Sequence, residues 1–196
     1  MQPAMAERMQ HQGAAVALPQ TRVKGNSARN LALLRAGIGG RTWGNMQAED
    51  NLYSLRLADG PRDITAAQRL RYLVFVQELG AAGPMVDHDQ RLERDEFDAL
   101  TDHLLLIDNR ADPSAGTHVV GAYRLLPSDR LAAGQRFYSE SEYDLGPLRR
   151  SGRRLLELGR SCVHPDHRGG TAMFHLWNGL ADYVLARGIE VMFGVA

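Results

Sequence analysis

A strand, a helix and a second strand follow one another at the end of the chain, and this order constrains the fold more than any other feature. The stretch "RLLELGRSCV" (154–163) is apolar enough for a buried strand. In 171–188, apolar residues recur at helical spacing, and Gly188 is a typical C-terminal stop. Residues 189–196 predict another strand. Two strands joined by a helix pair in parallel, which indicates an α/β fold.

The preceding hundred residues supply the rest of a sheet. "NLYSLRLA" alternates like a half-buried strand, and "TAAQ" (65–68) has the spacing of a capping box ahead of a helix. "HLLLID" and "THVVGAYRLLP" flank the turn-rich "NRADPSAG", which predicts a hairpin. We therefore predict one domain over 51–196, with a central mixed sheet and flanking helices. A final strand with nothing after it would leave an open edge, so we expect this domain to be incomplete at its C-terminal end.

Residues 1–50 are polar, poor in aromatics and without sustained periodicity, which is typical of a loosely ordered leader. Within them, 29–38 could form a short basic amphipathic helix. Such a helix could touch a membrane. The alternatives are a disordered arm and a helix that packs on its own domain.

Composition limits which binding partners and which cellular compartment we expect for this protein. The 23 basic and 23 acidic residues balance, so no basic excess points to nucleic acid. The single cysteine, Cys162, allows no internal disulfide, and no apolar run is long enough to span a bilayer. We expect a cytoplasmic protein. If 29–38 forms the amphipathic helix, the protein could also bind peripherally to the inner face of the cytoplasmic membrane.

Two charged residues interrupt the apolar strand 154–163. Strand alternation places Glu157, Ser161 and Val163 on one face, and Arg160 and Cys162 on the other. Burying a charge without a partner costs on the order of several kcal/mol of desolvation free energy. We expect Glu157 and Arg160 to face a cleft; a purely structural ion pair is the alternative.

The loop "HRGGT" opens the helix that follows this strand. Gly169 and Gly170 would let the backbone approach a ligand, and the free N–H groups from Thr171 onward favour an anion such as phosphate. Arg168 would add a fixed positive charge. The three histidines nearby, His164, His167 and His175, match no zinc-ligand spacing, so no metal site is predicted.

This corner resembles the coenzyme-binding motif of the GNAT superfamily of N-acyltransferases, whose strand ends in Val-x-Pro before a glycine loop and a helix. "VHPDHR" (163–168) matches the beginning of that motif. The loop departs from it, because Thr171 and Met173 stand where small residues are expected. The departure argues against ordinary binding of the coenzyme A diphosphate.

A second resemblance covers the chain from about Tyr53 onward. "RYLVF", "RDEFD", "GAYRLLP" and "ELGRSCV" occur in the order seen in autoinducer synthases. Joined to "VHPDHR", they are still more similar to bacterial L-ornithine N-alpha-acyltransferases of ornithine-lipid synthesis, which are sometimes called hemolysin-like. Both families take an acyl chain from acyl carrier protein. The resemblance thus implies a GNAT-like fold, no permanently bound cofactor, and acyl-phosphopantetheine as donor.

The resemblance also implies roles for individual residues. Glu157 would be the base for the amine and, with Arg160, would form the catalytic pair. The donor would meet Ser161, Val163, Arg168, Gly169, Gly170 and Thr171. The other substrate-binding residues would be Arg71, Phe75, Asp95, Asp98, Asp102 and Arg124. The arginines would hold the phosphopantetheine, the polar head of the acyl chain or the acceptor's carboxylate, and the aspartates would meet the acceptor's cationic groups.

The favoured expectation is transfer of a 3-hydroxyacyl chain to the alpha-amine of ornithine. A sibling enzyme would use another amino acid or S-adenosylmethionine as acceptor. A third alternative is a non-catalytic membrane-binding protein. Cys162 could in principle be a nucleophile activated by His164, but neither resemblance requires a thiol.

Overall fold

The structure, a computed structural model, describes residues 16–17 and 52–195, and its centre is a six-stranded sheet. The strands are β1 (Val16–Ala17), β2 (Tyr53–Leu57), β3 (Val86–Asp87), β4 (Leu92–Glu93), β5 (Asp102–Asp108), β6 (Val119–Pro127), β7 (Leu155–Val163) and β8 (Val191–Phe193). The large sheet has the order β1-β8-β7-β6-β5-β2, and β3 and β4 form a separate small hairpin. Only the β7–β8 pair is parallel among these described strands. The predicted hairpin (β5–β6) and the terminal parallel pair are confirmed.

Two long helices cover opposite faces of the sheet. The first, α1 (Pro61–Arg71), continues without a break into a π-helical segment, Tyr72–Glu78. A short helix, α2 (Gly146–Arg150), lies in the connection before β7. The third, α3 (Ala172–Arg187), ends at Gly188, whose φ of 62° is left-handed as the sequence predicted.

The first long helix begins earlier than the capping-box spacing at Thr65 predicted. It begins at Pro61, after Gly60 with a φ of 129°, so Thr65 lies inside the helix. Proline has a fixed φ close to the helical value and no N–H to leave unpaired, which suits the first helical position. The dipeptide Gly60–Pro61 therefore determines the start.

The core has two sides. Leucines of β5, β6 and β7 pack beneath α3 against Leu176 and Tyr183, which are both fully buried. On the other side, Ala66, Ala67 and Leu70 of α1 pack on the sheet beside Cys162. The helix α3 thus lies over one face and α1 over the other.

A β-bulge in β7 changes the predicted orientation of its side chains. Arg124 pairs with Gly159 and Ala122 with Cys162, so one residue of β6 faces two residues of β7, Arg160 and Ser161. Arg160 takes a φ of 51°, in the left-handed region. The extra residue reverses the alternation beyond Gly159. The prediction that Glu157 and Arg160 point to opposite faces is wrong, because both border one groove on the α1 side.

The predicted leader, residues 1–50, lies outside the described residues except for Val16–Ala17, which pair antiparallel with β8. The proposed amphipathic helix at 29–38 also lies outside them. Within 16–17 and 52–195, no helix combines the length and apolar character needed to cross a bilayer.

Gly179 provides a test of how closely α3 packs on the sheet. A Cβ at this position would collide with the side chain of Leu55 and lie 3.3 Å from Leu104 Cδ1. Although alanine is intrinsically better in helices by about 1 kcal/mol, we expect Gly179→Ala to lower the free energy of unfolding by about 1–3 kcal/mol through overpacking. The exposed neighbour gives the matched control: Asn178→Ala should be neutral or slightly stabilising. Urea unfolding measures both variants, and a stabilised Gly179→Ala would contradict the packing.

Candidate active site

An ion-pair cluster lies between α1, β4, β6 and β7. Its members are three arginines and three acids: Arg71, Arg124, Arg160, Glu93, Asp95 and Asp98. Arg71 is at its centre and is only 1% exposed. Two of its nitrogens donate to the two carboxylate oxygens of Asp98 at 2.7 and 2.8 Å, and its Nε lies 2.6 Å from Glu93 Oε2. A guanidinium this deeply buried is tolerated because opposite charges surround it.

Asp98 is held by three side-chain donors from two elements, α1 and β6. Besides Arg71, it accepts hydrogen bonds from Gln68 of α1 at 2.9 Å and from Arg124 of β6 at 3.2 Å. Burial alone would raise the pKa of Asp98, but the hydrogen bonds and charges of Arg71 and the other donors outweigh it and hold the pKa well below its usual range. Asp98 is therefore a structural anion at neutral pH.

Arg124 and Arg160 connect the cluster to the groove. Arg124 donates to Asp95 Oδ1 at 2.6 Å, and Arg160 Nε lies 2.9 Å from Glu93 Oε1. The Arg160 guanidinium also lies between the rings of Phe75 and Tyr138, with centroids at 5.9 and 5.2 Å. With 20% of its side chain exposed, Arg160 is the most accessible cation of the cluster.

Glu157 is buried at 5% exposure and fixed by donors that carry no charge. Its Oε1 accepts from the N–H and hydroxyl of Ser139, both at 2.6 Å, and its Oε2 accepts from the N–H of Tyr138 at 2.9 Å. A carboxylate has about four lone-pair positions, so one on Oε2 is left. Since the acids of the cluster already match its arginines, Glu157 is a carboxylate without an arginine partner.

The groove that Glu157 borders is small and lies at the middle of β7. Its lining combines charged and apolar side chains: Phe97, Thr101, Arg124, Leu126, Tyr138, Glu157, Leu158, Gly159, Arg160 and Val195. A carboxylate, a guanidinium and an apolar wall thus converge on one opening. This is the combination that a site for an amine and an acyl group requires.

Beside this groove, β7 pairs with β8. Their parallel pairing runs from Leu155↔Val191 to Glu157↔Phe193. The next residue of the chain still lies close to β7, because a Cβ at Gly194 would collide with the carbonyl oxygen of Leu158. Val195 then lines the groove together with Glu157.

The donor corner, as we call residues 164–171, lies at the other end of β7. From Glu157 to Val163 is roughly 20 Å along the strand. Arg168 forms a two-pronged ion pair with Glu78, in which Nη1 and Nη2 lie 2.5 and 2.6 Å from the two carboxylate oxygens. This pairing raises the pKa of Arg168. Gly169 has a φ of 78°, and a Cβ at Gly169 or Gly170 would meet open space.

The structure brings together most of the residues that the sequence singled out, and separates others. Arg71, Asp95, Asp98 and Arg124 belong to the ion-pair cluster, and Phe75 stacks on Arg160. Asp102 lies apart, because it accepts from the Tyr183 hydroxyl at 2.9 Å and from Arg130 at 2.6 Å.

Cys162 is buried, and burial raises the pKa of its thiol to about 12. The thiol is therefore protonated at neutral pH, which argues against a nucleophilic role.

Sequence reasoning missed three residues that shape the site. Glu93 joins Arg71 to Arg160, and Tyr138 and Ser139 hold Glu157. Glu93 adjoins the "RDEFD" motif, which is the only signal that could have found it. Ser139 lies in an irregular connection without periodicity, so nothing in the sequence indicated it.

Comparison with known proteins identifies the family of this domain. Residues 70–178 match the family model described as an acetyltransferase (GNAT) domain. L-ornithine N(alpha)-acyltransferase of Rhodobacter capsulatus is 64% identical over 151 residues, which cover 77% of this chain and 58% of the relative. The protein of the same name from Brucella abortus is 40% identical over 72% of this chain and 51% of the relative. The chain thus spans about half the length of the curated relatives it matches.

A solved structure supports the fold. An N-acyl amino acid synthase from uncultured soil microbes superposes with a TM-score of 0.51 at 17% identity, over 70% of this chain and 67% of the other. At this identity the likeness concerns the fold alone. The predicted GNAT-like architecture is confirmed.

The central role of Asp98 can be tested by neutralising it. We expect Asp98→Asn to lower the free energy of unfolding by about 3–5 kcal/mol, because it leaves the buried Arg71 without its two-pronged partner. Asp89→Asn, on an exposed loop, is the matched control and should change stability by less than about 0.5 kcal/mol. Denaturant unfolding at neutral pH gives both values. Equal stability of the two variants would show that Arg71 does not depend on Asp98.

Proposed function

The chain belongs to the GNAT acetyltransferase family, and we propose that it transfers a 3-hydroxyacyl chain from acyl carrier protein to the α-amino group of L-ornithine, forming lyso-ornithine lipid. The observation that carries this proposal is the groove that Glu157, a carboxylate without an arginine partner, borders together with Arg160. The names of the relatives support ornithine as the acceptor.

The reaction needs the amine in its neutral form. An α-amine is mostly protonated at neutral pH, so the site must remove a proton. Glu157 takes it, directly or through one water, on the lone-pair position of Oε2 that its neighbours leave. Ser139 and the N–H of Tyr138 fix the carboxylate in place, and no arginine competes for it.

The amine nitrogen then attacks the thioester carbonyl. A tetrahedral oxyanion forms, the carbon–sulfur bond breaks, and the pantetheine thiolate leaves and takes up a proton. Backbone N–H groups of the Ser161 to Val163 stretch are the proposed donors to the oxyanion, because a site of this kind needs donors aimed at the developing charge. Cys162 takes no part, because its thiol stays protonated.

The acceptor's charged groups find complementary partners in the cluster. Arg160, the most accessible of the arginines, pairs with the ornithine carboxylate. Asp95 binds Arg124, and its Oδ2 makes no hydrogen bond to any described residue. We assign the acceptor's second ammonium group to this oxygen; because Oδ2 is buried and Asp95 does not line the groove, the groove must widen near Arg124 for this contact to form. Arg71 and Asp98 serve a different purpose: they fix Asp95, Arg124 and Arg160 in position.

The donor lies along β7 with its phosphate at the donor corner. Phosphopantetheine carries a single phosphate, which suits a corner with one arginine, Arg168, and an open glycine pair. Arg168 exchanges its partner Glu78 for the phosphate when the donor binds. The acyl chain lies against the apolar wall of the groove.

The proposed reaction can be tested directly with purified components. We expect the protein, supplied with 3-hydroxyacyl carrier protein and ornithine, to release N-acylornithine and holo-carrier protein, detected by mass spectrometry. Glycine and S-adenosylmethionine are offered in parallel. Preferential acylation of either one would assign the chain to a sibling acyltransferase.

Removing the proton acceptor should abolish turnover without unfolding the protein. Glu157→Gln keeps the size of the side chain and an oxygen for Ser139, but it replaces the acceptor of the Tyr138 N–H with an amide NH₂, and the amide cannot take a proton. Circular dichroism of the variant checks that the fold is kept. We expect kcat to fall by about 10²–10⁴-fold, the usual contribution of a general base. The exposed Glu142→Gln is the matched control and should keep full activity. A Glu157→Gln variant with the wild-type rate would exclude the proton-transfer role.

Removing the cation of the donor corner should weaken donor binding. For Arg168→Ala we expect KM for acyl carrier protein to rise by roughly 10–100-fold, which corresponds to about 1.5–3 kcal/mol for a hydrogen bond to a charged group. The KM for ornithine should not change. Arg62→Ala, an exposed arginine of α1, controls for loss of general positive charge. An unchanged donor KM would show that the phosphate lies elsewhere.

A further inference from the structure

Large exposed apolar side chains are concentrated at one place on the described surface. Five such side chains are present: Leu79, Met173, Phe174, Trp177 and Leu185. The first four surround the donor corner, and we call them the apolar collar. They are 68%, 41%, 54% and 64% exposed, in that order. Only Leu185 lies away from the corner, near the C-terminal end of α3.

Two separate elements build the apolar collar. Met173 and Phe174 belong to the first turn of α3, immediately after the glycine loop, and Trp177 lies one turn further along. Leu79 comes from the other side, because it follows Glu78, whose carboxylate binds Arg168. The collar therefore flanks the Arg168–Glu78 ion pair on both sides.

This distribution is unusual for a surface helix. Helices at a protein surface turn polar residues toward water, and an exposed aromatic cluster commonly marks an interaction site. Tryptophan is also enriched among the residues that contribute most to binding between proteins. The collar is thus explained if another molecule covers it during the reaction.

The chemistry of the donor indicates which molecule this is. In an acyl carrier protein, the pantetheine phosphate is esterified directly to a serine of the carrier. A phosphate bound at Arg168 therefore brings the carrier's own surface against the residues around Arg168. In coenzyme A the same phosphate is joined to a nucleotide instead of a protein.

We propose that the apolar collar is the docking surface for the carrier protein, and that it contacts the apolar residues next to the carrier's modified serine. This inference rests on the proposed function, since it assumes a phosphopantetheine donor at the donor corner.

The charges near the apolar collar favour a protein over a lipid bilayer. On the same exposed side of α3, the polar residues are Asn178 and Asp182, and neither is cationic. Arg168, the cation at the centre, is paired with Glu78 and, once the donor binds, with the donor's phosphate, so it is engaged in both states. Surfaces that bind anionic membranes combine apolar residues with unpaired lysine or arginine. The collar lacks that combination among the described residues.

The test compares two donors that differ only in the carrier. For the double variant Phe174→Ser with Trp177→Ser, we expect KM for 3-hydroxyacyl carrier protein to rise at least 10-fold. With 3-hydroxyacyl-phosphopantetheine, which has the phosphate but no protein, kcat and KM should not change. Leu185→Ser removes an equally exposed residue of α3 far from the donor corner and should behave like the wild type with both donors.

Two kinetic results would overturn the docking surface. One is an unchanged KM for the carrier-bound donor. The other is an equal loss with both donors, which would mean that the substitutions damage the phosphate site itself.

A binding measurement separates this inference from the proposed function. Calorimetric titration with holo-acyl carrier protein, which has no acyl chain, should give binding to the wild type and to Leu185→Ser, and at least 10-fold weaker binding to the double variant. Absence of binding to the wild type would overturn the docking surface. Normal binding without any acyl transfer would instead contradict the proposed function alone. Sedimentation with phosphatidylglycerol vesicles that depends on Phe174 and Trp177 would assign the collar to lipid and overturn the inference.

Discussion

The burial of the Arg71 guanidinium determines where the other charged residues of the ion-pair cluster lie. Arg71 is 1% exposed and leaves water only because Glu93 and Asp98 surround it. Each of these acids then binds a second arginine, so that Arg124 and Arg160 are also fixed. Such a network costs desolvation energy, and hydrophobic residues in its place could give equal or higher stability. The network is best explained by the two residues that it positions beside the groove: the cation Arg160 and the acid Asp95.

The bulge in β7 determines on which side of the sheet Arg160 lies, and so whether it can join the ion-pair cluster. Without the extra residue, Arg160 would point toward α3 and Glu157 toward α1, on opposite faces of the sheet. The bulge places both on one side, and Arg160 accepts a left-handed φ of 51° for a side chain other than glycine. The ion pair with Glu93 and the contacts with Phe75 and Tyr138 stabilise Arg160 in that conformation. Local backbone strain is thus offset by contacts at the proposed active site.

Periodicity and turn residues were enough to predict the framework. The hairpin, the long C-terminal helix with Gly188 as its stop, and the parallel pair all follow from local patterns that the structure keeps. The start of α1 was missed because a proline signal and a capping-box signal competed four residues apart. The bulge could not be predicted, since no residue type demands it and alternation is the default for any strand.

The site was predictable only in part, because contacts between distant parts of the chain leave no local pattern in the sequence. Charged residues in an apolar context marked Glu157 and Arg160, but their partners come from distant parts of the chain. Ser139 meets Glu157 through the fold and not through any sequence pattern. Asp102, close in sequence to Asp98, is drawn instead to Tyr183 and Arg130. Closeness in sequence therefore grouped Asp102 with Asp98, although the fold separates them. It gave no indication of the residues that hold Glu157.

The left-handed backbone of Arg160 limits how such a protein could be made more robust. Replacing Arg160 with glycine would relieve the backbone strain, which is an attractive aim for an engineer of thermal resistance. Yet the same change would remove a cation that borders the groove and would leave Glu93 without its second arginine. Gains in thermal resistance are better sought at exposed positions outside the groove, because there rigidity and turnover do not compete.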